Sequence, residues 1–246
     1  MKFSTRGINK IGLFKDVTDI RDIVASDIKI PEKILDEMPK YATSIEDRFK
    51  RFKDTPPSLD DLFREEDMYG GLKELHLKNA YNQAGMYAFV SWRWVNPFAE
   101  WLGDRKVLEV MAGRGWWTYA LRQKSVNVIA TDDFSWMNRS WIDTLTEVEE
   151  MDAIEAVERY GKEVDVVTMG WPYMDDTAYR VIKRLHEVNP NALVVYIGER
   201  GGCTADDNFH EHFEIMFNDP EFNKVTTRYQ SWEHIHDDIL LGRYSE

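Results

Sequence analysis

The sequence predicts an α/β protein: a mostly parallel seven-stranded sheet with an antiparallel last strand, preceded by a helical N-terminal extension. Three observations predict it. After Asp104, short apolar runs alternate with amphipathic segments, the pattern of a parallel sheet with helices on both faces. The chain closes on two apolar runs with a short connection and no helix, which implies an antiparallel edge pair. The first hundred residues instead read as helices broken by turns, so residues 1–84 are assigned to the extension and 85–246 to the sheet domain.

Within the extension, Asp16–Ala25, Glu32–Met38 behind Pro31, Ser44–Lys53 with Ser44 as cap, and Ser58 through Arg64 read as helices. Leu72 to Trp101 reads as mostly helical with a break at Asn96-Pro97. Strands follow at Lys106–Val110, Val126–Thr131, Thr146–Glu149, Val164–Met169 and Ala192–Ile197. The last of these is nearly all β-branched or apolar, as a strand covered on both faces should be. Helices are expected over Trp116–Gln123, Thr177–Glu187 and Ala205–Phe217, the last with Thr204 as cap and Asp207 as its carboxylate partner. Val225–Trp232 and Ile239–Tyr244 are the closing strands.

At 246 residues, with 43% hydrophobic and 30% charged residues, the chain can bury a core without disulfides. Its single cysteine, Cys203, excludes an intrachain disulfide and a cysteine-based zinc site and fits a reducing, cytoplasmic setting. Cys203 is expected to be a packed small residue rather than a nucleophile. The N-terminal residues lack the apolar core of a signal peptide, and the most apolar stretch, Met86–Leu102, is interrupted by Arg93, Asn96, Pro97 and Glu100, so no membrane partner is expected. The net charge is −13, and residues 101–246 carry 15 basic against 27 acidic residues, a net −12. Such a field repels a phosphate polymer, and duplex nucleic acid is disfavoured as a partner. The opposing feature is Arg48–Lys53, where bases alternate with Phe49 and Phe52; it reads either as a single-strand binder or as a core stripe under solvated bases.

The strongest chemical signal is Val107-Leu108-Glu109-Val110-Met111-Ala112-Gly113-Arg114-Gly115-Trp116-Trp117. An apolar strand ends in an acid, passes a small-residue turn and enters a helix, at the sheet edge where open α/β proteins bind ligands. Asp132, at the tip of the second strand, is placed to accept hydrogen bonds from two ribose hydroxyls. A dinucleotide fingerprint wants a third glycine where Thr118 stands, and Glu109 sits poorly beside a pyrophosphate. A sulfonium ligand with an amino-acid tail can use that acid, so S-adenosylmethionine fits better than NAD.

The same stretch resembles motif I of the class I S-adenosylmethionine-dependent methyltransferases, E/D-x-G-x-G-x-G, here running from Glu109 to Gly115 with Met111 in place of the first glycine. The resemblance covers about residues 85–246 and implies a Rossmann-like methyltransferase fold and S-adenosylmethionine as cofactor. It implies cofactor contacts at Glu109, Met111, Ala112, Gly113, Gly115, Trp116, Asp132, Asp133 and Gly170, with Asp152 at the adenine amine and Ala153 beside it. Gly170-Trp171-Pro172-Tyr173 is similar to the Asx-Pro-Pro-Tyr loop of amino-group methyltransferases, which makes Trp171, Pro172 and Tyr173 the catalytic candidates. Gly170 stands where that loop has its Asx, so the side-chain acceptor is missing. The bland alternative is a proline turn between core aromatics. A narrower resemblance, to uncharacterised methyltransferase-like proteins, rests on Gly201-Gly202-Cys203-Thr204-Ala205-Asp206-Asp207 and implies no substrate.

No general base stands out; Tyr173, Asp175 and Glu199 are candidates if one is needed. Glu199 and Arg200 lie after the fifth strand as possible substrate contacts. His234-Ile235-His236-Asp237-Asp238 has two histidines beside carboxylates but no third ligand by spacing, so substrate contact or loop capping is expected there and no metal. The aromatic run Tyr87, Phe89, Trp92, Trp94, Phe98 and Trp101 is expected to pack a helix on the sheet and partly roof the cofactor. The expected function is methyl transfer to a small planar molecule or an exposed group of a partner. A silent S-adenosylmethionine-binding protein, a nucleic-acid methyltransferase and an NAD-dependent oxidoreductase are the alternatives.

Overall fold

The structure is a computed structural model and describes residues 85–135, 144–229, 231–232 and 235–246, with Lys78 and Asn82. The helices read over 16–64, the Arg48–Lys53 segment and His234 lie outside the described residues.

Helix α1 (Trp92–Leu102) leads into β1 (Val107–Glu109), α2 (Trp116–Gln123), β2 (Val128–Asp132) and β3 (Glu149–Glu150). Then come α3 (Ala153–Tyr160), β4 (Val166–Gly170), α4 (Thr177–Val188), β5 (Leu193–Glu199), α5 (Asp207–His212), β6 (Phe213–Ile215), α6 (Pro220–Thr226) and β7 (Asp237–Tyr244). One seven-stranded sheet has the order β3-β2-β1-β4-β5-β7-β6. β1 to β5 pair in parallel, while β7 is antiparallel to both β5 and β6. This is the Rossmann-like methyltransferase fold that motif I implied. Among the described residues, no helix is long and apolar enough to cross a membrane.

Strand side chains point alternately to opposite faces, so one strand feeds two cores. Val107, Val166, Val195 and Ile197 join the aromatic core beneath α1, α2 and α6. Their neighbours Leu108, Val167, Val194 and Tyr196 join the core beneath α3, α4 and α5. In the first core Trp94 and Phe98 are fully buried and meet Trp117 with ring centroids 5.4 and 5.5 Å away. The aromatic run thus packs as expected except for Tyr87, which is exposed.

Four expectations for the secondary structure are corrected. α1 starts at Trp92 and runs through Pro97 without a break, because Trp94, Val95, Phe98, Trp101 and Leu102 anchor it on both sides of the proline. α3 has no counterpart among the helices expected from the sequence; Asp152 caps it, its carboxylate accepting from the amides of Ile154 and Glu155. The stretch from Val225 does not begin a strand, because α6 occupies Pro220–Thr226. Asp219 caps it by accepting from Glu221 and Phe222, Pro220 takes the first turn, and Phe222 and Val225 are buried. The sixth strand is Phe213–Ile215, inside the stretch expected to be helical, and α5 shortens to six residues with Asp206, not Thr204, as its cap. Thr204 is buried instead, its hydroxyl hydrogen-bonded with Tyr196 and with the backbone of Glu199.

Candidate active site

A cavity of about 380 Å³ opens at the carboxyl ends of β1, β2 and β4. Its size is within the range of small-molecule sites. Its wall contains Glu109, Met111, Ala112, Gly113, Trp116, Asp132, Asp133, Asp152, Ala153, Gly170, Trp171, Pro172 and Tyr173. Of the cofactor-contact residues named from the sequence and the loop candidates Trp171, Pro172 and Tyr173, Gly115 alone is not part of that wall.

The turn from β1 to α2 is shaped by left-handed backbone at alternate positions: φ is 55° at Met111, 56° at Gly113 and 76° at Gly115. Glycine adopts this region at little cost and a methionine does not, so Met111 is the strained member. The Ala112 amide donates to the Thr131 carbonyl and the Gly115 amide to the Ala112 carbonyl. Gly115 faces away from the cavity; a Cβ there would stand 3.0 Å from Val148 and 3.1 Å from Thr146. Gly115 therefore seats α2 against the 145–148 segment.

Asp132 is buried at the tip of β2. One carboxylate oxygen accepts from the Gly113 amide at 2.7 Å, the other from the Phe134 amide at 2.7 Å. It holds the glycine turn in place, and each oxygen retains acceptor capacity for a hydroxyl. Glu109 is also buried and accepts the hydroxyl proton of Thr118. Burial pushes its carboxyl up to about 7 against the opposing pull of that hydrogen bond. Thr118, which spoils a dinucleotide fingerprint, thus has a defined task in fixing the acid that precedes the turn. Asp133 accepts from the Ser135 amide, and Asp152 carries its helix cap from an exposed position on the wall.

At the other end, β4 runs out through Gly170 into Trp171, which has φ 52°. The Trp171 amide donates to the Ile197 carbonyl at 2.7 Å, and its indole N–H donates to Asp237 at 2.9 Å. Asp237 is 2% exposed and also accepts from the Tyr229 hydroxyl at 2.7 Å. Burial raises its carboxyl above the usual range while the hydrogen bonds oppose the shift. The Trp171 ring is therefore fixed from behind. A Cβ on Gly170 would lie 3.4 Å from the Ala88 methyl and 3.7 Å from the Trp117 ring, both ordinary van der Waals contacts. Tyr173 is 56% exposed at the mouth. Its phenol is raised first by partial burial, then by Tyr87, Asp132, Asp133 and Asp175 nearby.

Glu199 and Arg200 are not on the cavity wall. Glu199 is buried behind it, accepting from the amides of His236 and Cys203, so it braces the loop rather than meeting a substrate. Cys203 is exposed and on the wall, not packed as expected. Asp237, expected to belong to a histidine–carboxylate loop, is the brace of Trp171. Among the described residues, no group of three histidine, cysteine or acidic side chains is arranged to hold a metal. Sequence reasoning missed Gly85, Ala88, Val90 and Met151 on the wall; for Ala88 and Val90 the available signal was the apolar run ahead of α1.

No family model matches the chain, and no curated protein matches it. Solved structures resemble it distantly. TehB from Haemophilus influenzae is 12% identical, with 61% of each chain covered and a TM-score of 0.38. A SAM-dependent methyltransferase from Archaeoglobus fulgidus is 12% identical over 61% of this chain and 94% of that one, with a TM-score of 0.37. Magnesium protoporphyrin IX methyltransferase from Synechocystis PCC 6803, with bound SAM, is 13% identical over 61% and 78%, with a TM-score of 0.38. The chain spans 61% of the length of TehB, and similarity at this level reaches no further than the fold.

Proposed function

We propose that the chain is an S-adenosylmethionine-dependent methyltransferase acting on a small acceptor or an exposed group of a partner. The observation that carries this reading is the charge of the wall. It bears Glu109, Asp132, Asp133, Asp152 and Asp175, and no lysine, arginine or histidine among its described residues. A dinucleotide pyrophosphate is repelled by the aspartates there, whereas a sulfonium with an ammonium tail is attracted.

The residues present fit such a cofactor. Asp132 has acceptor capacity for the ribose hydroxyls while gripping the turn. Asp152, on the wall with Ala153 and Met151, is assigned to the adenine amine. Glu109, under the turn, suits the ammonium group. When bound, the cofactor supplies an electrophilic methyl group. The chain orients the acceptor against it with Trp171, Pro172 and Tyr173 and excludes water with Ala88, Val90 and Trp117. Orientation of this kind suits an acceptor that needs little activation.

One observation favours a second reading, a protein that binds the cofactor without transferring the methyl group: Gly170 gives the loop no side-chain acceptor. Thermal melts of the full chain separate the cofactor classes. A ligand at 100 times its dissociation constant adds about 2.7 kcal/mol. The proposal expects S-adenosylmethionine to raise the melting temperature and NAD to leave it unchanged; the reverse would overturn it. Slow release of S-adenosylhomocysteine on supplying candidate acceptors marks an enzyme, and its absence across amines, phenols and proteins favours the silent reading.

A further inference from the structure

The mouth of the cavity carries a second message, distinct from the cofactor end. Among the described residues, four large apolar or aromatic side chains are conspicuously exposed, and three of them cluster here: Tyr87 at 45%, Tyr173 at 56% and Met174, next to it in the chain, at 66%. Tyr87 and Tyr173 both belong to the cavity wall. They come from segments more than eighty residues apart, yet the Tyr173 phenol feels that of Tyr87. Aromatic rings left in water around a cavity mouth are costly unless something covers them in use.

Asp175 stands on the same stretch of wall, exposed, with one oxygen accepting from the Thr177 amide at 2.9 Å. No wall residue described supplies a cation to answer it or the other carboxylates. Lys78 lies close enough to Cys203 for its charge to be felt there, but it is not on the wall. Two ring faces and a carboxylate around an opening make a receptor for a positive charge. The rings offer their negative faces, and the carboxylate offers a full opposite charge.

We propose that Tyr87, Tyr173 and Asp175 form the acceptor subsite and that it takes an organic amine in its cationic form. The inference rests on the methyltransferase reading for the word acceptor, though not for the binding of a cation. The subsite supplies what Gly170, with no side chain, does not. An Asx side chain would grip a neutral amine through a hydrogen bond, whereas here the rings and Asp175 hold an ammonium by charge. Asp175 is also the carboxylate at the mouth placed to receive the proton that an ammonium must release before its nitrogen has a lone pair. A phosphorylated or carboxylated acceptor is refused by the same field.

The test is calorimetry on the full chain saturated with S-adenosylhomocysteine, using benzyltrimethylammonium, benzyl alcohol and benzoate as probes of similar size and three charges. The cation should bind tightest, with benzoate weaker by about tenfold or more. Tyr173→Ala and Asp175→Asn should each weaken the cation about two- to fivefold. For Asp175→Asn the affinity for S-adenosylhomocysteine should be unchanged. Benzoate binding as tightly as the cation, or cation affinity untouched in both variants, would overturn the proposal. If S-adenosylhomocysteine binds but the cation does not, the subsite falls and the cofactor reading stands. If S-adenosylhomocysteine does not bind, the cofactor reading falls. The mouth is then judged on the free protein, where cation binding lost in both variants upholds it and binding unaffected by them rejects it.

Discussion

The two ends of the cavity are built by different means. The end beneath β1 and β2 is set by backbone: Gly113 and Phe134 amides bind one carboxylate, and Thr118 fixes another, nine residues before it in the chain. The end beyond β4 is assembled from distant segments: Ala88 against Gly170, Asp237 behind Trp171, Glu199 behind Cys203. The first is held by hydrogen bonds within its own turn and the neighbouring strand tip. The second keeps its rigid braces in a layer behind the wall, with exposed side chains in front. A ligand common to many proteins suits the first construction, and a ligand particular to one suits the second, because front-layer side chains can change without disturbing the braces.

The largest effect is expected at Asp132. Asp132→Ala should remove two ribose hydrogen bonds, about 3 kcal/mol of cofactor binding or over a hundredfold in affinity. It should also lower the melting temperature, since the Gly113 and Phe134 amides lose their acceptor. Calorimetry showing near-normal affinity in a folded variant would dissolve the idea of a preformed end.

Asp237 probes the other end. Asp237→Leu leaves the Trp171 indole and the Tyr229 hydroxyl without their acceptor in a buried site, about 2–4 kcal/mol of stability in urea melts. Asp237→Asn keeps an acceptor oxygen in place and should recover most of it. Cofactor affinity should be little changed in either. A large loss of affinity in Asp237→Asn would mean that the two ends are coupled and the distinction is false.

The glycines divide the first end itself. Both positions have positive φ, so valine at either carries about 1–2 kcal/mol of backbone strain. Gly115→Val adds contacts with Val148 and Thr146 and should act on stability. Gly113→Val is on the wall and should act chiefly on cofactor affinity. Comparing melting temperature with affinity for both variants checks the assignment; matching profiles would count against it.

Glu109 gives an effect visible only as a pH slope. Its carboxyl is raised from 4.5 to about 7, so between those values the folded protein holds a proton that the unfolded chain has released. Stability therefore falls as pH rises through that window, by at most about 1.4 kcal/mol per unit, and levels off above it. Glu109→Gln should flatten this stretch of the profile in urea melts at about pH 5, 6 and 7. An unchanged slope would place the titrating group elsewhere.

The first end was legible in the sequence because its components are contiguous. Glu109, the turn and Thr118 fall within ten residues, and Asp132 follows at the next strand tip. A local motif records a local construction. The second end was legible only where Gly170 to Tyr173 continue β4. The sequence groups Asp237 with its neighbouring histidines because nothing along the chain ties it to Trp171, 66 residues away. The misplaced closing strand has a similar origin. Val225-Thr226-Thr227 has strand propensity, but the Asp219-Pro220 cap just upstream starts a helix, and burial of Phe222 and Val225 decides for it. Gly115 shows the converse limit: a motif names the residues of a turn without saying which of them line the cavity.

The most direct test of the central claim, that this cavity is a preformed S-adenosylmethionine site, is a crystal structure of the full chain grown with S-adenosylhomocysteine. The account predicts the ribose hydroxyls on Asp132, with the Gly113 and Phe134 amides still bound to that carboxylate, the adenine beside Asp152, and the sulfur turned toward Gly170 and Tyr173. A cavity empty at saturating ligand, or a nucleoside seated at the Tyr87–Tyr173 mouth with Asp132 untouched, would contradict it.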